Sequence, residues 1–259
     1  MEADFVGIGV PRDCFRSRRW VESMKQINLL VLAGGFGKRL LSAVSDVPKP
    51  LAPVKGIPYL HYQIENWVGQ GVTRLVFLLQ YKAELIDAFL KSQQKEIGNC
   101  QLHTSREPQP LGTGGAVAFA VQQLGLTGSF LVTNADTWLG SGVQRVFNAE
   151  MPAIATVQVE NSERYGSVQV EKNKVVTFEE KQNSSGPGLI NAGLYHLHAN
   201  LFQDWNGQLF SLERELFPKL ASLGQLKSVL LETDFIDMGV PEDYFRLCRW
   251  IESGKLCKL

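Results

Sequence analysis

The side chains best suited to phosphate chemistry lie between residues 29 and 53. An apolar run, Leu29-Leu30-Val31-Leu32-Ala33, empties into Gly34-Gly35-Phe36-Gly37 and ends on the basic pair Lys38-Arg39. After nine intervening residues Lys49 returns on a proline-stiffened segment, Lys49-Pro50-Leu51-Ala52-Pro53. A glycine turn after an apolar run presents backbone N–H groups to an anion. Two cations aimed at one centre, Arg39 and Lys49, supply what attack on a nucleotide α-phosphate needs, because negative charge builds there as the bond forms. The glycines fit neither the Walker A spacing nor Gly-x-Gly-x-x-Gly. Alone they would serve equally as a plain strand-to-helix turn; the pairing with Lys49-Pro50 is what gives the phosphate reading its weight.

Two acids complete the set. Asp136 follows the apolar strand that ends at Thr133, and Asp237 lies inside Phe235-Ile236-Asp237-Met238-Gly239-Val240-Pro241. A carboxylate inside an apolar run is costly unless it is paired or metal-bound. Mg²⁺ is usually held by one or two carboxylates, with phosphate oxygens and water filling the rest of its shell. Asp136 and Asp237 are therefore candidate Mg²⁺ ligands, the competing reading being a helix cap or a buried ion pair. His61, His103, His196 and His198 have no metal-ligand spacing, and no serine or cysteine stands in a nucleophile–base arrangement.

The elements that must position these groups follow from hydrophobic patterning. Residues 29–32, 75–79, 101–104 and 130–133 read as strands, and residues 61–70, 83–92 and 115–124 as intervening helices. That alternation predicts a doubly wound, mostly parallel α/β sheet, with ligands gathered at the carboxyl ends of its strands. The glycine loop and Asn134-Ala135-Asp136 both sit at such ends. After about residue 152 the texture changes. Residues 153–159, 166–170, 175–180 and 189–197 look like strands joined by tight turns, an antiparallel insertion or extra sheet over one side of the site. Residues 209–220 and 241–253 read as helices, the second with Pro241 in its first turn.

Composition narrows the function classes. Lys plus Arg and Asp plus Glu number 26 each, so net charge gives no support to binding nucleic acid or a membrane surface. No run of about 18 apolar residues is present, so no transmembrane helix is expected. Cys14, Cys100, Cys248 and Cys257 show neither metal spacing nor a disulfide framework; reduced thiols and a cytoplasmic location are expected. Residues 4–25 repeat residues 234–255 without a gap, with 13 identities in 22 positions, but Gly7 stands where the later copy has Asp237. The chain is read as an N-terminal extension, residues 1–25, followed by one domain, residues 26–259. The extension is expected to form a strand-turn-helix that packs as an extra lobe or docks on a neighbouring subunit, which leaves a homo-oligomer open.

Gly34-Gly35-Phe36-Gly37-Lys38-Arg39-Leu40 and Lys49-Pro50-Leu51-Ala52-Pro53 together resemble the sugar-1-phosphate nucleotidyltransferases, and the likeness runs from about residue 27 to residue 250. The resemblance implies a Rossmann-like, GT-A-like nucleotide-diphospho-sugar transferase fold with a sugar-binding part at about 152–200. It implies transfer of a nucleotidyl group from a nucleoside triphosphate to a sugar 1-phosphate, with Mg²⁺ held by Asp136 and Asp237 and with Arg39 and Lys49 as the catalytic cations. Nucleotide contacts would come from Leu32, Ala33, Gly34, Gly35, Gly37 and Lys38. A base loop would use Glu107, Leu111, Gly112, Thr113 and Gly114. A carboxylate at Glu107 can accept from both the ring N–H and the amino group of guanine, which favours GTP. Tyr165, Gly166, Glu180, Lys181 and Asn191 match the family's sugar-binding segments. Within the family the motifs most resemble the D-glycero-α-D-manno-heptose 1-phosphate guanylyltransferases; the alternatives are mannose 1-phosphate guanylyltransferases and N-acetylmuramate 1-phosphate uridylyltransferases. A non-catalytic nucleotide-sugar-binding regulator would tolerate loss of Arg39, Lys49, Asp136 or Asp237, and this chain has all four.

Overall fold

Strand β1 (Asn28–Leu32) shows how the sequence builds a two-faced sheet. Leu29 and Val31 enter one hydrophobic cluster and Leu30 another, and all three are fully buried, as the two-residue period of a strand requires. The computed structural model describes residues 26–37, 44, 47–179 and 186–254. After β1 come a 3-10 turn at Lys49–Leu51, the hairpin strands β2 (Pro53–Val54) and β3 (Ile57–Pro58), α1 (Tyr59–Gly69), β4 (Arg74–Leu79), α2 (Ala83–Gln93) and β5 (Gln101–Arg106). Then follow α3 (Gly112–Gln123), β6 (Ser129–Asn134), β7 (Thr137–Leu139), α4 (Val143–Phe147), β8 (Ala153–Val159), β9 (Ser167–Glu171), β10 (Lys174–Glu179) and β11 (Gly188–His198). A π-helical turn (Leu212–Leu216), α5 (Phe217–Ser222), β12 (Lys227–Leu230), β13 (Phe235–Asp237) and α6 (Pro241–Glu252) follow.

One nine-stranded sheet runs β5-β4-β1-β6-β11-β8-β12-β10-β9. The first four strands are parallel. β11 then runs antiparallel to β6 and to β8, and β10 antiparallel to β12 and β9. The α/β doubly wound reading is borne out: α1, α2 and α4 bury residues in the cluster on one face, α3 and α5 in the cluster on the other. The later antiparallel strands continue this same sheet. β11 makes that continuity by pairing with β6, β8 and β9 along its length. The helix expected over 209–220 starts later. Ser211 caps the π-helical turn by accepting from Arg214 N, while Phe210 O is taken by Gly114 N and Gly115 N, so Leu209 and Phe210 stay outside the helix. Among the described residues no helix is long and apolar enough to cross a membrane.

A third cluster holds the site's last components together. Tyr244, Leu247 and Ile251 form one stripe of α6 and pack with Trp138 of β7, Ile236 of β13, Met238, Tyr59 and Ala52. Pro241 pre-sets the first turn of α6, and Glu242 and Asp243 lie there against the positive end of the helix. Asp243 also anchors the connection between β8 and β9. Arg164 Nη2 lies 2.8 Å from its Oδ2 and Arg246 Nη2 3.0 Å from its Oδ1, with the Asp243 side chain only 6% exposed. Removing a nearly buried carboxylate that satisfies two guanidinium groups leaves both short of a partner. Asp243→Ala is expected to lower unfolding stability by about 1–3 kcal/mol, read as a lower urea midpoint at unchanged slope.

Candidate active site

Three strand ends meet at one edge of the parallel half of the sheet. Register places Leu32 beside Leu78 on one side and Asn134 on the other. Past the strands the backbone stays paired: Ala33 N donates to Leu78 O at 3.0 Å, Ala135 N to Leu32 O at 3.0 Å and Glu107 N to Leu79 O at 2.9 Å. The glycine loop, Asp136 and, two strands over, Glu107 therefore leave the same edge of the sheet, where ligands of open α/β sheets bind.

Lys49 is brought to this edge from outside the sheet. Its Nζ lies 2.9 Å from Asp136 Oδ2, with the two side chains 13% and 31% exposed. Its stem is gripped by the glycine loop: Gly37 has φ +62°, and a Cβ there would sit 2.6 Å from Lys49 Cγ. That turn needs glycine for backbone angle and for space at once.

The second carboxylate arrives on β13. β13 pairs antiparallel with β7, with Asp237 opposite Thr137, and Met238 N donates to Asp136 O at 2.8 Å. Two acids far apart in the chain are thus neighbours on one ribbon. Gln63 Nε2 holds Thr137 O at 2.6 Å and Asn66 Nδ2 holds Leu139 O at 2.8 Å, so α1 fixes β7 from behind. The phenol of fully buried Tyr59 is held well above its ordinary range, first by burial and then by the fields of Asp136 and Asp237. Among the described residues no cluster of three or more His, Cys, Asp or Glu is available to a metal. A two-carboxylate edge that leaves the remaining positions to phosphate oxygens and water suits Mg²⁺ chemistry.

The proposed base loop forms the entry to α3. Glu107 Oε2 accepts from Leu111 N at 2.9 Å and so closes the loop. Burial pushes the Glu107 carboxyl above its usual range, and the Leu111 bond works against that. The family resemblance places Gly114 in the base loop; in the structure the ring of Phe210 fills the space its Cβ would need. On the far wall, Asn191 N donates to Gly166 O at 2.9 Å, joining two of the segments that the resemblance assigns to the sugar. The register of β11 against β8 shifts between Asn191 and Tyr195, a bulge of the kind that re-aims side chains beside sites. Tyr165 packs edge-on against Phe235 at 5.5 Å between ring centroids.

A cleft of about 500 Å³ is lined by Leu32, Ala33, Gly34, Gly35, Gly37, Lys49, Glu107, Leu111, Gly112, Thr113, Asp136, Tyr165, Gly166, Asn191 and Asp237. These are all the described candidate site residues except Gly114, which sits just behind, against Phe210. Lys38, Arg39, Glu180 and Lys181 lie outside the described residues, as does the N-terminal repeat. Trp138 is 2% exposed and belongs to the third cluster, while Trp205 is partly buried and packs against the second. Gln80, Tyr195 and Glu213 also line the cleft and escaped the sequence reading. Tyr195 hides in an apolar strand run, and Glu213 looks like an ordinary acid at a helix start.

Comparison with known proteins agrees with this geometry. The family model described as nucleotidyl transferase matches residues 28–253. The D-glycero-alpha-D-manno-heptose 1-phosphate guanylyltransferase of Campylobacter jejuni is 34% identical over 219 residues, covering 83% of this chain and 96% of that protein. Mannose-1-phosphate guanyltransferase beta-A of Xenopus laevis is 30% identical over 233 residues, 86% of this chain and 64% of that protein. The crystal structure of HddC from Yersinia pseudotuberculosis complexed with GMP-PN superposes with a TM-score of 0.77 at 32% identity, over 87% of this chain and all of that one. The chain belongs to the nucleotidyl transferase family. It is an enzyme of that class, and the class uses a divalent metal.

The grip of the glycine loop on Lys49 is testable by one methyl group. Gly37→Ala is expected to displace the Lys49 stem and to cut nucleotidyl transfer about a hundredfold, while circular dichroism stays that of the parent.

Proposed function

We propose that this chain transfers the nucleotidyl group of GTP to a sugar 1-phosphate, with D-glycero-α-D-manno-heptose 1-phosphate as the acceptor, and releases pyrophosphate. The observation that carries the reading is the contact of Lys49 Nζ with Asp136 Oδ2 at 2.9 Å, beside the glycine loop. Supporting it are the heptose 1-phosphate guanylyltransferases of Campylobacter jejuni and Aneurinibacillus thermoaerophilus, at 34% and 31% identity, and the GMP-PN complex of HddC.

The reaction asks little covalent chemistry of the protein. An oxygen of the sugar phosphate, already ionised, bonds to the α-phosphorus as the bond to the pyrophosphate oxygen breaks, so no general base is required. Catalysis is alignment plus neutralisation of charge on the α-phosphate. Lys49 meets that charge, and Arg39 is assigned to the triphosphate tail with Lys38 and the loop amides. Asp136 and Asp237 would hold Mg²⁺, which when bound supplies positive charge to phosphate oxygens. Glu107 keeps lone pairs for the guanine edge beyond the one given to Leu111 N. Leu111, Gly112, Thr113 and Gly114 form the loop around the base. Tyr165, Gly166, Glu180 and Asn191 are assigned to sugar hydroxyls and Lys181 to the 1-phosphate. Free thiols at Cys100 and Cys248 accord with the cytoplasmic location we propose.

Pyrophosphate release from each of four nucleoside triphosphates against heptose, mannose and N-acetylmuramate 1-phosphates tests the assignment. GTP with the heptose phosphate is expected to give the highest kcat/KM; a preference for UTP, or silence throughout, would overturn it. Lys49→Ala should lower kcat by about two to three orders of magnitude. We assign the complete site to residues 26–259, because the N-terminal copy carries Gly7 in place of Asp237. Deleting residues 1–25 is then expected to leave kcat within about twofold, measured in the same assay.

A further inference from the structure

Glu213 has no part in the phosphate chemistry above, yet it sits where the two halves of the cleft meet. It lies on the π-helical turn Leu212–Leu216, a local geometry that recurs at functional sites. Its Oε2 accepts from Thr113 Oγ1 at 2.6 Å and Ser211 Oγ at 2.9 Å, and its Oε1 accepts from Tyr195 OH at 3.3 Å. Thr113 belongs to the base loop and itself accepts from Leu212 N at 3.0 Å. Tyr195 OH accepts from Asn191 Nδ2 at 2.9 Å, and Asn191 Oδ1 accepts from Gly193 N at 3.0 Å. Thr113, Glu213, Tyr195 and Asn191 all line the cleft.

An ionised carboxylate accepts and never donates, so its charge fixes every proton in this chain. Thr113, Ser211 and Tyr195 must all point their hydroxyl protons at Glu213. Tyr195 is then left with only an acceptor for Asn191, which orients the Asn191 amide with its oxygen on Gly193 N. Tyr195 cannot swing aside: it is fully buried, with its ring 4.7 Å from that of Phe217. We propose that Glu213 is a positioning residue that couples the base loop to the sugar-side wall, so that the orientation of Thr113 on one side depends on that of Tyr195 and Asn191 on the other. This rests on the assignment of the two walls given under the proposed function.

Thr113 and Tyr195 meet through Glu213, so a double-mutant cycle between them tests the coupling. Thr113→Val and Tyr195→Phe each remove one hydroxyl. The combined loss in kcat/KM is expected to differ from the product of the single losses by about fivefold or more. In a Glu213→Gln background, where the side chain presents one donor and one acceptor, the cycle is expected to become additive. Glu213→Gln alone should raise KM for both substrates by about tenfold each with a smaller change in kcat, and Glu213→Asp should restore part of the loss. A purely structural role predicts a lower melting temperature with unchanged KM values. Additivity within twofold in the Glu213 background, or a KM effect confined to one substrate, would overturn the proposal. The same cycle read on GTP affinity by calorimetry separates the two readings. If GTP binds but no sugar 1-phosphate reacts, the acceptor assignment fails while the cycle in affinity still decides the coupling. If GTP does not bind the unmodified protein, both fail.

Discussion

Two anionic substrates brought together in a small cleft repel one another, and a protein that joins them must hold positive charge where its own fold has little reason to put any. We assign that charge to Lys49. It is not on the sheet; it is delivered to the sheet edge by a proline-stiffened turn, gripped along its stem by the loop at Gly37 and paired at its tip with Asp136. Each constraint comes from a different part of the chain. A surface lysine tethered only by its backbone would spread over many rotamers, and ordering it would cost up to about 2 kcal/mol of side-chain entropy. Here that cost is met during folding, so the ammonium is already held in place in the folded protein.

The metal site proposed above asks that two carboxylates share an edge. The parallel half of the sheet can supply one acid at the end of β6, but no adjacent parallel strand carries another. The short β7–β13 ribbon solves this by placing Asp237 opposite Thr137. A two-stranded ribbon is marginal alone, which explains the heavy packing around it. Gln63 and Asn66 of α1 bond its carbonyls, and the stripe of α6 closes over Trp138 and Ile236. Asp243 then ties α6 to Arg164 at the cleft wall. The third hydrophobic cluster is in this sense the foundation of the carboxylate pair.

Much of this was legible in the sequence because the chemistry sits at strand ends. β1, β4, β6 and their helices have strong periodicity, and a loop that follows such a strand inherits its position. Asp136 and the glycine loop were identifiable for that reason; Lys49 was marked by its spacing from that loop, Asp237 as an acid inside an apolar run, and Glu107 and Asn191 by the family resemblance, and all of them line one cleft. β7, β13 and β12 were not legible: β7 and β13, with three residues each, are shorter than the windows in which alternation can be recognised, and β12, with four, only just reaches them. Glu213 and Tyr195 were missed for a different reason. Their meaning lies in a hydrogen-bond network between segments distant in sequence, and neither residue type nor spacing announces it. The reason for Gly114 was also beyond sequence, since Phe210 is the neighbour that demands it.

The lateness of β13 in the chain has a bearing on synthesis. Strands β5, β4, β1 and β6 are complete once residue 134 has been made, whereas β7 waits for a mate about a hundred positions further on. A nascent chain emerging from the ribosome therefore contains the strands of this sheet edge long before its second carboxylate. Until the final helix docks, the young polypeptide is a scaffold without a finished reaction centre, and a chain terminated early would be left in that condition.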